Sequence, residues 1–200
     1  VRSAAIDATD RDAMGAWLDE VDGARPVDLL IANAGISAGT GGDAGESAEQ
    51  ARRIFAVNLD GVLNSVLPVL PQLRRRRRGQ IALMSSLAAF RGFPGAPAYC
   101  ASKAAVRVWG EALRGELHAD GIEVSVICPG FVVSRMTDAN RFRMPLLMRT
   151  DKAAAVIARG LARNRARIAF PLPMYVGSWL LGALPPWLTD PVMRRLPKKA

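Results

Sequence analysis

The run VDLLIANAG at residues 27–35 decides the fold. Its apolar residues are consecutive rather than alternating, the pattern of a strand covered on both faces, as in a parallel sheet. It stops at Asn33-Ala34-Gly35, where the chain must turn. Two runs of the same kind follow, QIALMS at 80–85 and IEVSVIC at 122–128, the second ended by Pro129-Gly130. Shorter strands are predicted at 3–6 and 167–170. Between these runs the apolar spacing is helical. Thr9 is the predicted N-cap of a helix carrying Met14, Trp17, Leu18 and Val21, and Ser47 with Gln50 forms a capping box for the next one. Apolar residues at 59, 62, 63, 66, 67 and 70 form one buried stripe, which Pro68 should kink. A further helix carries Ala105, Val106, Trp109, Ala112, Leu113 and Leu117, and Thr150 caps one running to about residue 163. Strands alternating with helices define an α/β protein, a doubly wound parallel sheet with helices on both faces.

A chain of 200 residues suits one core of good size. Its formal net charge is +9, and the excess gathers at 74–78 and in the tail at 194–199. Neither run is interleaved with stacking aromatics, which argues against a nucleic-acid partner and leaves an anionic cofactor or membrane surface. The arginines at 74–78 are expected to form a solvated turn that complements a helix dipole. Two cysteines, Cys100 and Cys128, are too few for a disulfide framework and imply a reducing cytoplasm. Cys100 reads as a small packing residue. The opening VRSAAIDATD has no leader pattern and starts inside a strand-like run, as expected of a shortened chain.

The chemistry concentrates at residues 86–103, SLAAFRGFPGAPAYCASK. Tyr99 and Lys103, four apart, stand on one face of a helix, one turn from each other. Ser86 lies thirteen residues before the tyrosine, at the end of a strand and across a Gly/Pro-rich loop. A free phenol has a pKa of about 10, and a nearby ammonium favours its ionised form. Tyr99 is therefore expected to exchange a proton with a substrate oxygen near neutral pH. Ser85 adjoins Ser86, and alternation on a strand points only one of them into the cleft.

These residues, with IANAG at 31–35, Asn58 in VNLDG, YCASK at 99–103 and PGFVVS at 129–134, resemble the short-chain dehydrogenase/reductase family. The resemblance covers roughly residues 4–170 and implies a Rossmann-like sheet. It implies hydride transfer between NAD or NADP and a small-molecule carbonyl or alcohol. Ser86 would then hold the substrate oxygen, Tyr99 would pass the proton, and Lys103 would grip the cofactor ribose and lower the Tyr99 pKa. Asn58 would hold a water leading to solvent. Asp7 would meet the adenine ring, Asn33 would tie neighbouring strands, and Ala34 and Gly35 would let the ribose approach. Pro129 and Gly130 would start a loop over the nicotinamide, with backbone groups of Val132 on the carboxamide and the Ser134 hydroxyl in the place of a usual threonine. By the same resemblance, the family's first βαβ unit, with its glycine-rich pyrophosphate turn, is lacking here. Self-association into a homo-oligomer would use the helices starting near Asn58 and Tyr99.

Residues 1–170 thus form a partial dinucleotide-binding and catalytic domain, and 171–200 an apolar and basic extension broken by prolines and glycines. The extension has three readings: a lid or wall over a substrate pocket, a subunit contact, or an amphipathic foot on a membrane surface. Its apolar character also points to a hydrophobic substrate, and the location expected is the cytoplasm, with peripheral contact to the inner membrane surface as an option. The alternative function is a non-catalytic interaction module that keeps the helices without holding dinucleotide.

Overall fold

The computed structural model describes residues 1–37, 45–138 and 143–195. Most of the glycine-rich stretch at 37–45, and the basic tail beyond Arg195, lie outside them. Four parallel strands, β1 (Leu29–Ala32), β2 (Gly79–Met84), β3 (Ile122–Pro129) and β4 (Arg167–Phe170), pair in the order β1-β2-β3-β4. Ala32 is in register with Leu83, Met84 with Ile127, and Pro129 with Phe170. The carboxyl ends of β1, β2 and β3 therefore open together, the edge at which α/β sheets build their ligand sites.

Side chains alternate across this sheet as the pleat requires. Ile81 and Leu83 join a core with Leu18, Val66, Leu73 and Val106, contributed by α1 (Arg11–Ala24), α3 (Gly61–Val66), α4 (Leu70–Arg76) and α5 (Pro97–Leu117). Ala82 and Ile127 turn to the opposite face, where Ala153 and Leu161 of α7 (Thr150–Ala162) cover them. Helices on both faces are thus present over the middle of the sheet. At β1 the expectation fails: Ala32 is buried, but Leu29 and Ile31 are 42% and 47% exposed. Its apolar run is an edge strand, paired only with β2 among the described residues, so one face has no helix to cover it. Residues 3–6, predicted as a strand, form none. Extended backbone becomes a strand only when a neighbour accepts its ladder.

Local corrections have equally simple causes. Asp10, not Thr9, caps α1 by accepting from Ala13 N at 3.0 Å, because Thr9 is turned back onto the Asp7 carboxylate. Thr150 sits inside the first turn of α7, and its hydroxyl donates to Val133 O at 2.8 Å. Ser47 does cap α2 (Ala48–Phe55), accepting from Gln50 N at 3.1 Å. A π-helical turn, Ala56–Asp60, then leads into α3, and Pro68 separates α3 from α4. The composite helix from Ala48 to Arg76 is long and apolar enough to cross a bilayer by length and composition, but 44% of its apolar window is buried. The helix is packed against the sheet, as a core helix is. A short α6 (Arg135–Asp138) follows β3. In the extension, α8 (Leu172–Ala183) and α9 (Pro186–Met193) form with Pro173 and Pro186 in first turns, where no intrahelical N–H is needed, and α9 also carries Pro191 in its interior.

The arginines at 74–78 do more than line a solvated turn. Arg74 pairs with Glu116 and Asp120, Arg78 with Asp28, and Arg77 donates to Ala119 O. Arg76 grips Asp22 with two bonds of 2.7 and 2.9 Å and also donates to Val27 O. Asp22 is 8% exposed, and the Arg76 bonds hold its carboxyl below the usual range. The cluster ties α4 to α1 and to the end of α5. Arg76→Ala should lower stability by about 2 kcal/mol, since it strands a buried carboxylate. Arg75→Ala, at an exposed position, should change it by less than about 0.5 kcal/mol. Urea denaturation of the two variants measures the contrast.

Candidate active site

The ends of β1 and β2 and the first turns of α5 bring Ser86, Tyr99, Lys103, Asn58 and Gly35 together. Ser85 and Ser86 follow β2 and diverge as expected: the Ser85 hydroxyl donates to Lys103 O at 2.8 Å, while the Ser86 hydroxyl lies near the Tyr99 phenol and lowers its pKa. Ser86 Oγ also accepts from Ala88 N at 3.1 Å, capping a one-turn 3₁₀ helix and fixing the serine rotamer. Pro97 starts α5, which places Tyr99 in its first turn.

Lys103 is 3% exposed, and its Nζ donates to Met84 O at 2.8 Å. Burial disfavours the ammonium and lowers its pKa to about 8. Burial also raises the Tyr99 phenol, opposed by the bond from Ser86. The Lys103 ammonium is committed to a strand-end carbonyl, and desolvation leads the shift of the phenol.

Asn58 is wholly buried in the π-helical turn. Its Oδ1 accepts from Ile36 N at 2.7 Å, and its Nδ2 donates to Ile36 O at 2.9 Å and to Ser102 Oγ at 3.0 Å. Ser102 in turn donates to Tyr99 O at 2.9 Å. A chain of bonds thus fixes the turn after β1 to the backbone of α5 at Tyr99. Ser102 was missed in the sequence reading; its signal was a polar residue between two others of a helix face that must be buried. Gly35 faces the same point. A Cβ there would lie 3.0 Å from Lys103 Nζ and 3.3 Å from Asn58 Oδ1, so only glycine leaves this space open.

The remaining expected residues lie around this cluster. Asn33 and Ala34 are exposed just beyond β1. Among the described residues Asn33 makes no side-chain hydrogen bond, so the expected tie between strands is not formed. Asp7 accepts from the Thr9 amide and hydroxyl, both at 2.9 Å, which holds its carboxyl below the usual range. Pro129 ends β3, and Gly130 N donates to Phe170 O at 2.7 Å. Val132 O accepts from the Thr137 hydroxyl at 3.0 Å, and the same hydroxyl lies 3.3 Å from Ser134 Oγ. Thr137 therefore already engages both residues expected at the nicotinamide. A cleft of about 580 Å³ runs beside α5, lined by Phe90, Phe93, Cys100, Ala104, Asp190 and Met193 among others. Neither Ser86 nor Tyr99 lines it, so α9 walls a space next to the reactive hydroxyls rather than over them. Cys100 and Cys128 are buried and free, and burial raises both thiols, Cys128 to about 11.

The family model described as short chain dehydrogenase matches residues 1–144. An uncharacterized oxidoreductase of Myxococcus xanthus is 38% identical over 195 residues, covering 96% of this chain and 76% of the relative. Among solved structures, a short chain dehydrogenase of Mycobacterium paratuberculosis bound to NAD superposes with a TM-score of 0.68 at 25% identity, covering 83% of this chain and 70% of that one. A gluconate 5-dehydrogenase of Burkholderia cenocepacia, in complex with NADP and tartrate, gives 0.72 at 22% identity, covering 82% and 70%. The chain belongs to the short-chain dehydrogenase/reductase family, an oxidoreductase family that uses nicotinamide cofactors.

The buried lysine makes a testable statement about stability. Its folded pKa of about 8 lies below the ordinary 10.5, so between these values the unfolded chain binds more protons and stability rises with pH. The raised thiols act in the opposite sense from about pH 8 upward, because they ionise around pH 9 in the unfolded chain, and they offset part of that rise. Stability should therefore climb from pH 8 to 9 in the native chain, by up to about 1 kcal/mol. In Lys103→Met the climb should be absent, as read by urea unfolding at each pH.

Proposed function

We propose that this chain carries the catalytic half of a site that moves a hydride between NAD or NADP and a carbonyl or alcohol, with Ser86, Tyr99 and Lys103 as its working groups. The observation that carries the reading is the buried Lys103 one helical turn from Tyr99, with the Ser86 hydroxyl near enough to the phenol to lower its pKa, at the carboxyl edge of a parallel sheet. Gly35 lacks the side chain that would press on Lys103 Nζ and Asn58 Oδ1, so the turn after β1 comes close to the ammonium that would hold a cofactor ribose. Lys103 and Gly35 would hold that ribose, and the segment from Pro129 to Ser134 the nicotinamide end. Once bound, the cofactor supplies or takes up the hydride.

The protein's own groups manage the oxygen and its proton. A raised pKa keeps Tyr99 protonated at neutral pH, which makes it a proton donor toward a carbonyl oxygen. The Ser86 hydroxyl donates to the same oxygen and holds it as charge develops. The Lys103 ammonium favours the phenolate left behind, and Asn58 with Ser102 keeps the helix carrying both residues in place. In alcohol oxidation the proton returns to Tyr99. The apolar side chains of the C-terminal helices support a hydrophobic substrate. Exposed Phe55, Leu67 and Val108 on the long helices support self-association. Two buried free thiols suit the cytoplasm. A non-catalytic module finds no support, since the relative compared over nearly the whole chain is named as an oxidoreductase.

The test is turnover of NADH or NADPH with a panel of ketones. Tyr99→Phe should lose about 10²-fold or more in kcat, the usual weight of a positioned acid. Unchanged turnover in that variant would refute the mechanism. Carbonyl reduction should also decline as pH rises through about 8, where Lys103 loses its charge. In Lys103→Arg, whose charge persists, that decline should vanish from the pH profile of whatever activity remains.

A further inference from the structure

We propose that α8 and α9 form a foot that docks this protein on an anionic lipid surface. The inference stands apart from the hydride chemistry and rests on the outer face of these helices. On α8, Leu172, Val176, Trp179 and Leu180 recur at one-face spacing, and all are exposed. On α9, Trp187, Leu188 and Val192 continue the surface, with Trp187 72% exposed and Trp179 50%. The opposite faces are anchored. The Tyr175 ring packs edge-on to Phe90 at 5.4 Å, and its hydroxyl accepts from Arg167 at 3.0 Å. Gly182 lies so close to the Phe90 carbonyl that a Cβ would come within 2.1 Å. Met193 is 2% exposed. The stripe is thus presented in a fixed orientation.

Charge selects the occupant. From 172 to 195 the single carboxylate is Asp190, and Arg91 holds it at 2.8 Å. Arg194 and Arg195 are exposed at the end of the stripe, and the sequence continues to Lys198 and Lys199. An apolar face fringed by cations, with no free carboxylate, fits an acyl layer under anionic headgroups. A second copy fits it worse. A two-fold contact places the patch on itself, so arginine would meet arginine with no acid between them. The paired tryptophans suit the headgroup level, where an apolar ring and a polar N–H are both satisfied. The helices lie on the bilayer rather than cross it: α8, at 12 residues, is about 18 Å long against a hydrocarbon core of about 30 Å.

The experiment mixes the full chain with phosphatidylglycerol vesicles and, separately, with phosphatidylcholine vesicles, and reads co-sedimentation and tryptophan emission. Binding and a blue shift are expected with phosphatidylglycerol, weakening as salt rises. Arg194→Glu/Arg195→Glu should weaken binding by roughly fivefold or more per arginine. Trp179→Ser/Trp187→Ser should abolish the blue shift while the circular dichroism spectrum stays native. The charge variant alone decides the matter should the tryptophan variant not fold. The proposal is overturned by absence of binding to phosphatidylglycerol, by equal binding of native and charge-reversed chains, or by a dimer that buries Trp179 and Trp187 and does not bind vesicles.

Discussion

A lysine ammonium with 3% of its surface exposed needs an acceptor, and the architecture around Lys103 supplies one in the carbonyl of Met84 at the end of a strand. Burying such a charge without a partner costs several kcal/mol, so the strand end and the helix must stay in register. The same helix turn offers its own carbonyl to Ser85, which closes a second link between sheet and helix. Tyr99 lies one turn earlier on the same helix, with its phenol near the Ser86 hydroxyl.

Asn58 extends this constraint across the cleft. An asparagine in a helix normally offers its side chain to solvent or competes with its own backbone. Here a π-helical turn lets it reach the peptide of Ile36 with both amide atoms and Ser102 as well. The turn after β1 is thereby fixed at the site, although β1 is an edge strand whose Leu29 and Ile31 are uncovered. The site and the weakest part of the sheet meet at this turn, and the asparagine joins them.

The C-terminal helices add a second level. Phe90, which follows the short 3₁₀ turn capped by Ser86, receives Tyr175 on its ring and lies under the guanidiniums of Arg107 and Arg167 at 4.8 and 5.3 Å. Glu111 joins the two arginines through ion pairs. The extension is consequently tied to the loop between Ser86 and Tyr99, while its outer face stays apolar.

Much of this was legible in the chain itself. Consecutive apolar runs ending in Asn-Ala-Gly, Ser-Ser and Pro-Gly specify parallel strands and their carboxyl ends, because strand burial and turn chemistry are local properties of sequence. The four-residue spacing of Tyr99 and Lys103 fixed their common face for the same reason. What sequence could not decide were properties set by neighbours distant in the chain. Whether 3–6 is a strand depends on a partner for its ladder, and whether β1 is covered depends on which helices reach it. The arginines at 74–78 look solvated until α1 and α5 bring Asp22, Glu116 and Asp120 to them. The raised pKa of Tyr99 follows from burial, which arises only when helix and sheet are packed together.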